Sequence, residues 1–450
     1  MGQISIVIIA GLIFLISFES GENHVSTNYQ QICLVTLIMV VGPAIMAYLF
    51  GLWATRTIPI NPSSRTRKIY LIKKSKVLFE ILILVVYAYL IYWLNLPEFV
   101  SLLLGRLSGY TTTHLVFSIM PMIIALMLLE ISFYEVIQRV AFRHPKRRDY
   151  METHFKLMIL PLVPLFIYFL ALDFIAYLPE QIHRHTYIPF LIMTVIVLLA
   201  YAYSPLLLGL VWSAVPLPNG ELRDRITQLA ERDKVKYKDV LVWQTKSLAM
   251  ANAAVAGLLP WTRNIFLTDR LLQYFSDDEI ETIVAHEFGH VRYRHILIYL
   301  VFSMCYFFVY AIFYTYMATL IEIKPSNLPL LSSLGTIIFF FLYFVLVFRY
   351  LSRRLEYQAD LYSVTATRRP ATFQSALARL AHYNHVPKSI QRLFEIFSTH
   401  PSIENRIDFI NRLSAGDRRT LRYRGYLLEV KLLFIALPIL VCILFALNRG

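Results

Sequence analysis

"VAHEFGHVRYRH", residues 284–295, leads into a long apolar stretch that begins at Ile296. His286 and His290 stand four apart, so on a helix both imidazoles lie on one face. Glu287 follows the first of them. This is H-E-x-x-H, in which two histidines hold zinc and the glutamate serves as general base. The same five letters also occur as ordinary surface histidines on a helix. Just upstream, "SDDE" (276–279) forms a capping box, with Ser276 as N-cap and Glu279 three residues on. A helix is therefore expected from there through His290, with the option of running straight on into the apolar stretch. His295, five residues past His290, drifts off the zinc face of such a helix and reads as an interfacial surface residue.

Composition puts that helix at a membrane. The chain has 450 residues, 57% of them apolar and 16% charged, where a soluble domain averages about 25% charged. Its mean hydropathy is +0.57. The net charge of +14 in a soluble protein would suggest nucleic acid. Here basic residues concentrated in cytoplasmic loops account for it, and no nucleic-acid partner is expected. Cys33, Cys305 and Cys442 each lie within an apolar run, which implies packed thiols rather than a disulfide framework. The first apolar stretch, Ile4 to Phe18, has no basic flank or cleavage site and reads as a retained span.

A helix needs roughly 20 apolar residues to span a bilayer. Runs of that kind lie near 3–18, 31–54, 77–95, 112–135, 157–178, 187–214, 296–321, 330–349 and 430–448, or about nine spans. Leu96 to Leu104 extends the third or re-enters. Loops 55–76 and 136–156 are rich in Lys and Arg, whereas 19–30, 96–111 and 179–186 are not. By the positive-inside rule this alternation puts the N-terminus and the segment after the sixth span in the cytoplasm, and the C-terminus outside. The organisation read from this is a membrane domain of about six spans (1–215), a first polar block (216–295), a two-span hairpin (296–349), a second polar block (350–429) and a last span (430–450). The hairpin brings the two polar blocks to the same side as one composite domain. Within the first block, Glu221 to Arg232 reads as an amphipathic helix, and "DVLVW" (239–243) and "NIFLTD" (264–269) read as strands.

A catalytic zinc needs a third protein ligand and an open position. "RRLEYQAD" (353–360), just past the eighth span, offers Glu356 and Asp360 one helical turn apart. Viewed alone they are acids on a solvated helix face. The hairpin returns them to the membrane surface beside the H-E-x-x-H helix.

H-E-F-G-H at 286–290, a two-span hairpin and E-Y-Q-A-D at 356–360 together resemble the membrane zinc metallopeptidases of the CAAX prenyl protease type 1 and HtpX family. The resemblance implies that Glu356 is the third zinc ligand and that Asp360 supports a zinc histidine from behind. "ANAAVAG" (251–257) resembles the family's substrate-binding edge strand, which implicates Asn252 and Ala253 through their backbone, by strand addition. "STHPSIENRI" (398–407) resembles its H-P-x-x-x-x-R segment. That points to His400 and Arg406 as groups that stabilise the oxyanion or hold substrate and carboxylates. The other reading of this segment is a helix capped by Ser402 with a surface arginine. The resemblance covers roughly 220–412, and the six N-terminal spans depart from it.

The expected fold is thus a multi-span α-helical integral membrane protein with a cytoplasmic, mostly α, zincin-like α+β metallopeptidase domain. The expected function is a zinc metalloendopeptidase with one zinc ion, cutting membrane-associated or misfolded membrane proteins at the cytoplasmic surface of an inner or plasma membrane. Its partners would be the peptide or membrane-protein substrate and the lipid bilayer. The sequence sets no oligomeric state. The alternative is a multi-span transporter or lipid-binding protein with a structural zinc. Its many spans favour it, and the scarcity of ionisable residues in them, with Glu80, Glu130 and Asp173 the main exceptions, argues against it. A third reading is a scaffold that has lost activity, and the intact Glu287 argues against that, because a structural zinc needs no general base.

Overall fold

The computed structural model describes most of residues 3–180, 212–303 and 329–417, with breaks at 17–27, 57–61, 141–145 and 246–249. It describes only scattered positions of 181–211, 304–328 and 385–397, and none of 418–450. The expected span at 430–448 falls outside the described residues, as do most of those at 187–214 and 296–321. The chain forms two compact units. One holds residues 1–200 with 246–248 and 323–337, and the other holds the rest.

The first unit is helical: α1 (Gln3–Ile16), α2 (Tyr29–Ala54), α3 (Pro62–Tyr92), α4 (Leu96–Leu104), α5 (Thr111–Val140), α6 (Arg147–Ile159) and α7 (Leu162–Ala176). Tyr87, Met122 and Phe133 are buried at its centre, while Leu37, Trp53, Leu78 and Val85 are exposed. An apolar exterior on long apolar helices suits lipid as solvent. Among the described residues of the whole chain, four helices are long and apolar enough to cross a membrane: Tyr29–Ala54, Ser75–Tyr92, Thr111–Val136 and Leu334–Thr367.

Two sequence expectations change in this unit. The basic segment expected as a loop at 55–76 is helical from Pro62 on. Proline suits a first helical turn, and the Lys and Arg that follow are good helix formers. The expected span 157–178 divides into α6, which ends at Ile159, and α7, which starts at Leu162, with Pro161 between them in the sequence. The three carboxylates singled out within the spans have structural contacts. Asp173 caps α5 by accepting from Thr111 N at 2.7 Å and Thr112 N at 2.9 Å. Glu130 accepts from Lys76 and from Tyr150 Oη, and Glu80 lies 3.8 Å from Lys76 Nζ.

The second unit carries the H-E-x-x-H helix. A four-stranded sheet has the order β1 (Ala214–Pro216), β2 (Asp239–Trp243), β4 (Asn264–Thr268), β3 (Ala253–Ala256). Only β2 and β4 run parallel. Helix α8 (Glu221–Arg232) has the bounds expected from its amphipathic pattern and buries Ile226, Leu229 and Ala230. After α9 (Asp269–Tyr274) comes α10 (Asp277–Arg292), opened by the reciprocal Ser276–Glu279 capping box. Helix α11 (Pro329–Phe340), whose residues up to 337 belong to the first unit, continues through a π-helical stretch, Phe341–Val347, into α12 (Phe348–Thr367). Helices α13 (Pro370–Tyr383) and α14 (Ile403–Ser414) complete the unit.

Helix α10 does not run straight into the apolar stretch. It stops at Arg292, Arg294 takes a left-handed conformation at φ 56°, and a new helix starts at residue 295. Ile298 and Phe302 of that new helix pack with Leu351 and Leu355 of α12. This ties the two arms of the hairpin together next to the metal-ligating motifs.

Candidate metal centre

Two helices build the site. Gly289 permits their close approach: a Cβ there would stand 2.9 Å from Ala359 Cα and 3.1 Å from Tyr362 Cβ. With no side chain in the way, His286, His290 and Glu356 converge, and one ligand atom from each lies within 4.8 Å of the others. His286 Nε2 is 3.3 Å from His290 Nε2 and 3.4 Å from Glu356 Oε2. His290 Nε2 is 3.5 Å from Glu356 Oε1. Ligand atoms about 2.0–2.1 Å from a tetrahedral zinc lie roughly 3.3–3.4 Å from one another. Glu356 Oε2 is buried without a directed hydrogen bond, although His400 Nδ1 is 2.9 Å away. The donor set, its spacing and the open carboxylate oxygen fit a zinc ion.

The histidines are held from behind. Asp360 Oδ1 lies 2.9 Å from His286 Nδ1, so this ring nitrogen donates and Nε2 faces the cluster as an acceptor. Arg406 in turn grips Asp360, with Nε to Oδ2 at 2.9 Å and Nη2 to Oδ1 at 2.5 Å. Its side chain is buried and its guanidinium is taken up by this carboxylate. Of the two roles the sequence offered for Arg406, holding a site carboxylate matches its position, and contact with an oxyanion does not. The surface-arginine reading fails, although Ser402 does cap α14.

His290 is held by a residue the sequence reading discarded. His295 is fully buried. Its Nδ1 is 2.8 Å from His290 Nδ1, and its Nε2 is 3.0 Å from Gln358 Oε1. The carbonyl oxygen of Gln358 can only accept, so a neutral His295 carries its proton on Nε2 and offers the Nδ1 lone pair to His290 Nδ1–H. That leaves His290 Nε2 as an acceptor facing the cluster. On an unbroken helix a residue five positions on is rotated about 140° away. The reversal at Arg294 cancels that rotation. The left-handed residue that makes the break has no signature in the sequence, whereas the Gln in "EYQAD" was a visible partner.

The free edge of the sheet lies beside Glu287. Asn252 O accepts from Thr268 N at 3.0 Å, and Asn252 N donates to Thr268 Oγ1. In an antiparallel pair the hydrogen-bonded positions alternate. Residues 252, 254 and 256 therefore bond to β4, and Ala253 and Val255 turn their backbone groups to the open edge. Val255 N donates to Glu287 Oε2 at 3.2 Å. Ala253 turns its backbone toward that edge, while the residue as a whole is 5% exposed. The backbone of Asn252 is occupied, and only its side chain is exposed. Val255 was missed. His400 stands at the solvent side of the cluster, 62% exposed, against Glu356.

Without a metal, Glu356, Asp360 and His290 stand in the states a cation needs, and His286 must release its Nε2 proton to become a ligand. Burial opposes charge on Glu356, yet His400, His286 and His290 hold its carboxyl well below the usual range. Asp360 is also held down, against burial, by Arg406 and His286. Burial would lower His286, but Asp360 and Glu356 push it up to about 9. Burial drives His290 down to about 4, so it is neutral with a lone pair to give. Burial also pushes Glu287 up to about 7, with Glu356 adding to the rise and His286 opposing it.

Residues 216–414 match the profile of Peptidase family M48. The chain is 25% identical over 275 residues to a "Protease HtpX homolog" of Aeropyrum pernix, covering 50% of this chain and 85% of that protein. It is 26% identical over 224 residues to "CAAX prenyl protease 1" of Saccharomyces cerevisiae, covering 44% of this chain and about half, 49%, of that one. The crystal structure of S. mikatae Ste24p shares the fold, with a TM-score of 0.59 at 19% identity over 84% of this chain and 98% of its own. A fold likeness of that extent reaches past residues 216–414 into the helical first unit. On this evidence residues 216–414 form a Peptidase family M48 domain, and the similarities support a membrane-embedded metalloprotease.

Proposed function

We propose that the protein is a zinc metalloendopeptidase that cuts membrane-associated or misfolded membrane proteins near the cytoplasmic bilayer surface, from a multi-pass position in an inner or plasma membrane. His286, His290 and Glu356 hold the metal. The observation that carries this reading is their convergence at zinc-ligand spacing with Glu287 alongside. Zinc bound there supplies a Lewis acid that polarises oxygen. Glu287 takes a proton from the attacking water as its oxygen bonds to the scissile carbonyl carbon. It then passes that proton to the amine as the C–N bond breaks. His400, on the open side, donates to the carbonyl oxygen as charge develops. Asp360, held by Arg406, fixes His286. The backbone of Ala253 and Val255 holds the substrate extended, and the side chain of Asn252 stands at the strand's start. The alternation of basic loops supports the cytoplasmic placement, with a peptidase domain in two parts, 216–295 and 350–429, around the hairpin.

The test uses full-length protein in detergent, with casein as substrate and zinc measured by elemental analysis. Glu287→Gln is expected to abolish cleavage and keep the metal, and undiminished cleavage overturns the base assignment. Glu356→Ala is expected to lose the metal, and full stoichiometry in that variant removes Glu356 from the ligands.

A further inference from the structure

Between the end of α10 and the loops of the sheet lies a groove of about 390 Å³ lined by Lys234, Lys236, Arg263, Arg292, Arg294 and His290. No carboxylate lines it, and among the described residues none of its five cations forms an ion pair. Several arginines elsewhere in this unit behave differently. Arg223, Arg225, Arg369, Arg379 and Arg406 all pair with Asp or Glu. Arg263 backs the groove with its guanidinium fixed by the carbonyls of Gly257, Lys236 and Leu258, at 3.1, 2.8 and 2.8 Å. These neutral acceptors orient it and leave its charge uncompensated. Gly257, at φ +124°, makes the turn that brings Arg263 this close.

The groove is continuous with the cleft. Gly257 and Leu258 follow β3 directly, and both line the groove with His290. Val255 contacts Glu287. Two residues further on, the strand has advanced about 6.6 Å, and one turn of α10, about 5.4 Å, leads from Glu287 to His290 and Val291. A peptide lying along the edge of β3 therefore enters the groove two to three residues from the bond beside Glu287. An unpaired cluster of one sign in a concave wall concentrates ligands of the opposite sign. We propose that this groove is a substrate subsite that selects an acidic side chain, Asp or Glu, two to three residues from the cut. The proposal rests on the peptidase reading above.

The test uses full-length, zinc-loaded protein in a neutral detergent. Its substrates are quenched fluorescent peptides that are identical except for Glu, Gln or Lys at each position within about four of the cut. At one position two or three residues away, Glu is expected to exceed Gln about tenfold in kcat/KM at low salt, approaching parity near 1 M salt. The double variant Lys236→Glu/Arg294→Glu, which reverses both walls, is expected to prefer Lys. A flat series overturns the subsite, as does a Glu preference indifferent to salt and to charge reversal. If phosphatidylglycerol vesicles raise cleavage of all three peptides alike while the series stays flat, the groove serves the lipid surface and the proposal falls. A wild type that cuts none of the peptides, like Glu287→Gln, tells against the peptidase reading itself and removes the proposal with it.

Discussion

A histidine binds a metal through one nitrogen only when its other nitrogen carries the proton, so the partner of that second nitrogen decides whether the ligand is ready. Asp360 does this for His286, and His295, set by Gln358, does it for His290. The two arrangements differ in charge. A carboxylate strengthens the donor bond of His286, while a neutral imidazole only selects the tautomer of His290. Replacing His295 with Ala leaves His290 free to present the wrong tautomer. The expected result is a metal dissociation constant raised about 10- to 100-fold, read by competition with a chromophoric chelator and so independent of turnover. His295→Gln retains an acceptor for His290 and should recover part of that loss. An Ala variant that holds zinc as tightly as wild type would show that His290 needs no such partner.

Two helices carry the ligands, and their separation is set by one missing side chain. Gly289→Ala puts a Cβ against the α12 backbone at Ala359, which has no rotamer to yield. The helices must part by several tenths of an ångström, at a cost of about 1–3 kcal/mol. Glu356 moves with α12, so thermal midpoint and zinc affinity should fall together, and an alanine variant matching wild type in both would remove the spacing argument. Glycine inside H-E-F-G-H is visible in the sequence, and its reason is not, because the facing helix lies some 70 residues away. The same limit explains which other features were legible. The capping box at Ser276, helix 221–232 and the strands at 239–243 and 264–268 follow from local periodicity and caps. The break at Arg294 and the open-edge register of Val255 have no local signature, and the choice between the roles offered for Arg406 depends on its contact with Asp360.

At the scale of the molecule, the metal joins segments whose charges conflict without it. Glu287, Glu356 and Asp360 lie together in the interior, compensated by Arg406 and the histidines. In chelator-stripped protein Glu287 is the group that gives way, with its carboxyl pushed up to about 7 by burial first and Glu356 second. An acid whose folded pKa is raised contributes stability that is complete below its unfolded value and lost as pH rises through the folded one. The window is thus about 4.5 to 7, and the loss is at most about 3 kcal/mol. His290, driven down to about 4, acts in the opposite direction over much of that range, so the pH curve of the wild type alone is uninformative. The difference between wild type and Glu287→Gln isolates the carboxyl. In stripped protein the Gln variant should gain on wild type steadily from pH 4.5 to 7, in thermal midpoints recorded in one detergent, and then hold level. With zinc restored, the cation favours the ionised carboxyl and the gain should shrink. If the Gln variant gains nothing in stripped protein, the carboxyl is not raised there. If the gain is the same with and without zinc, Glu287 does not lie within the field of the metal, and the peptidase reading loses its base.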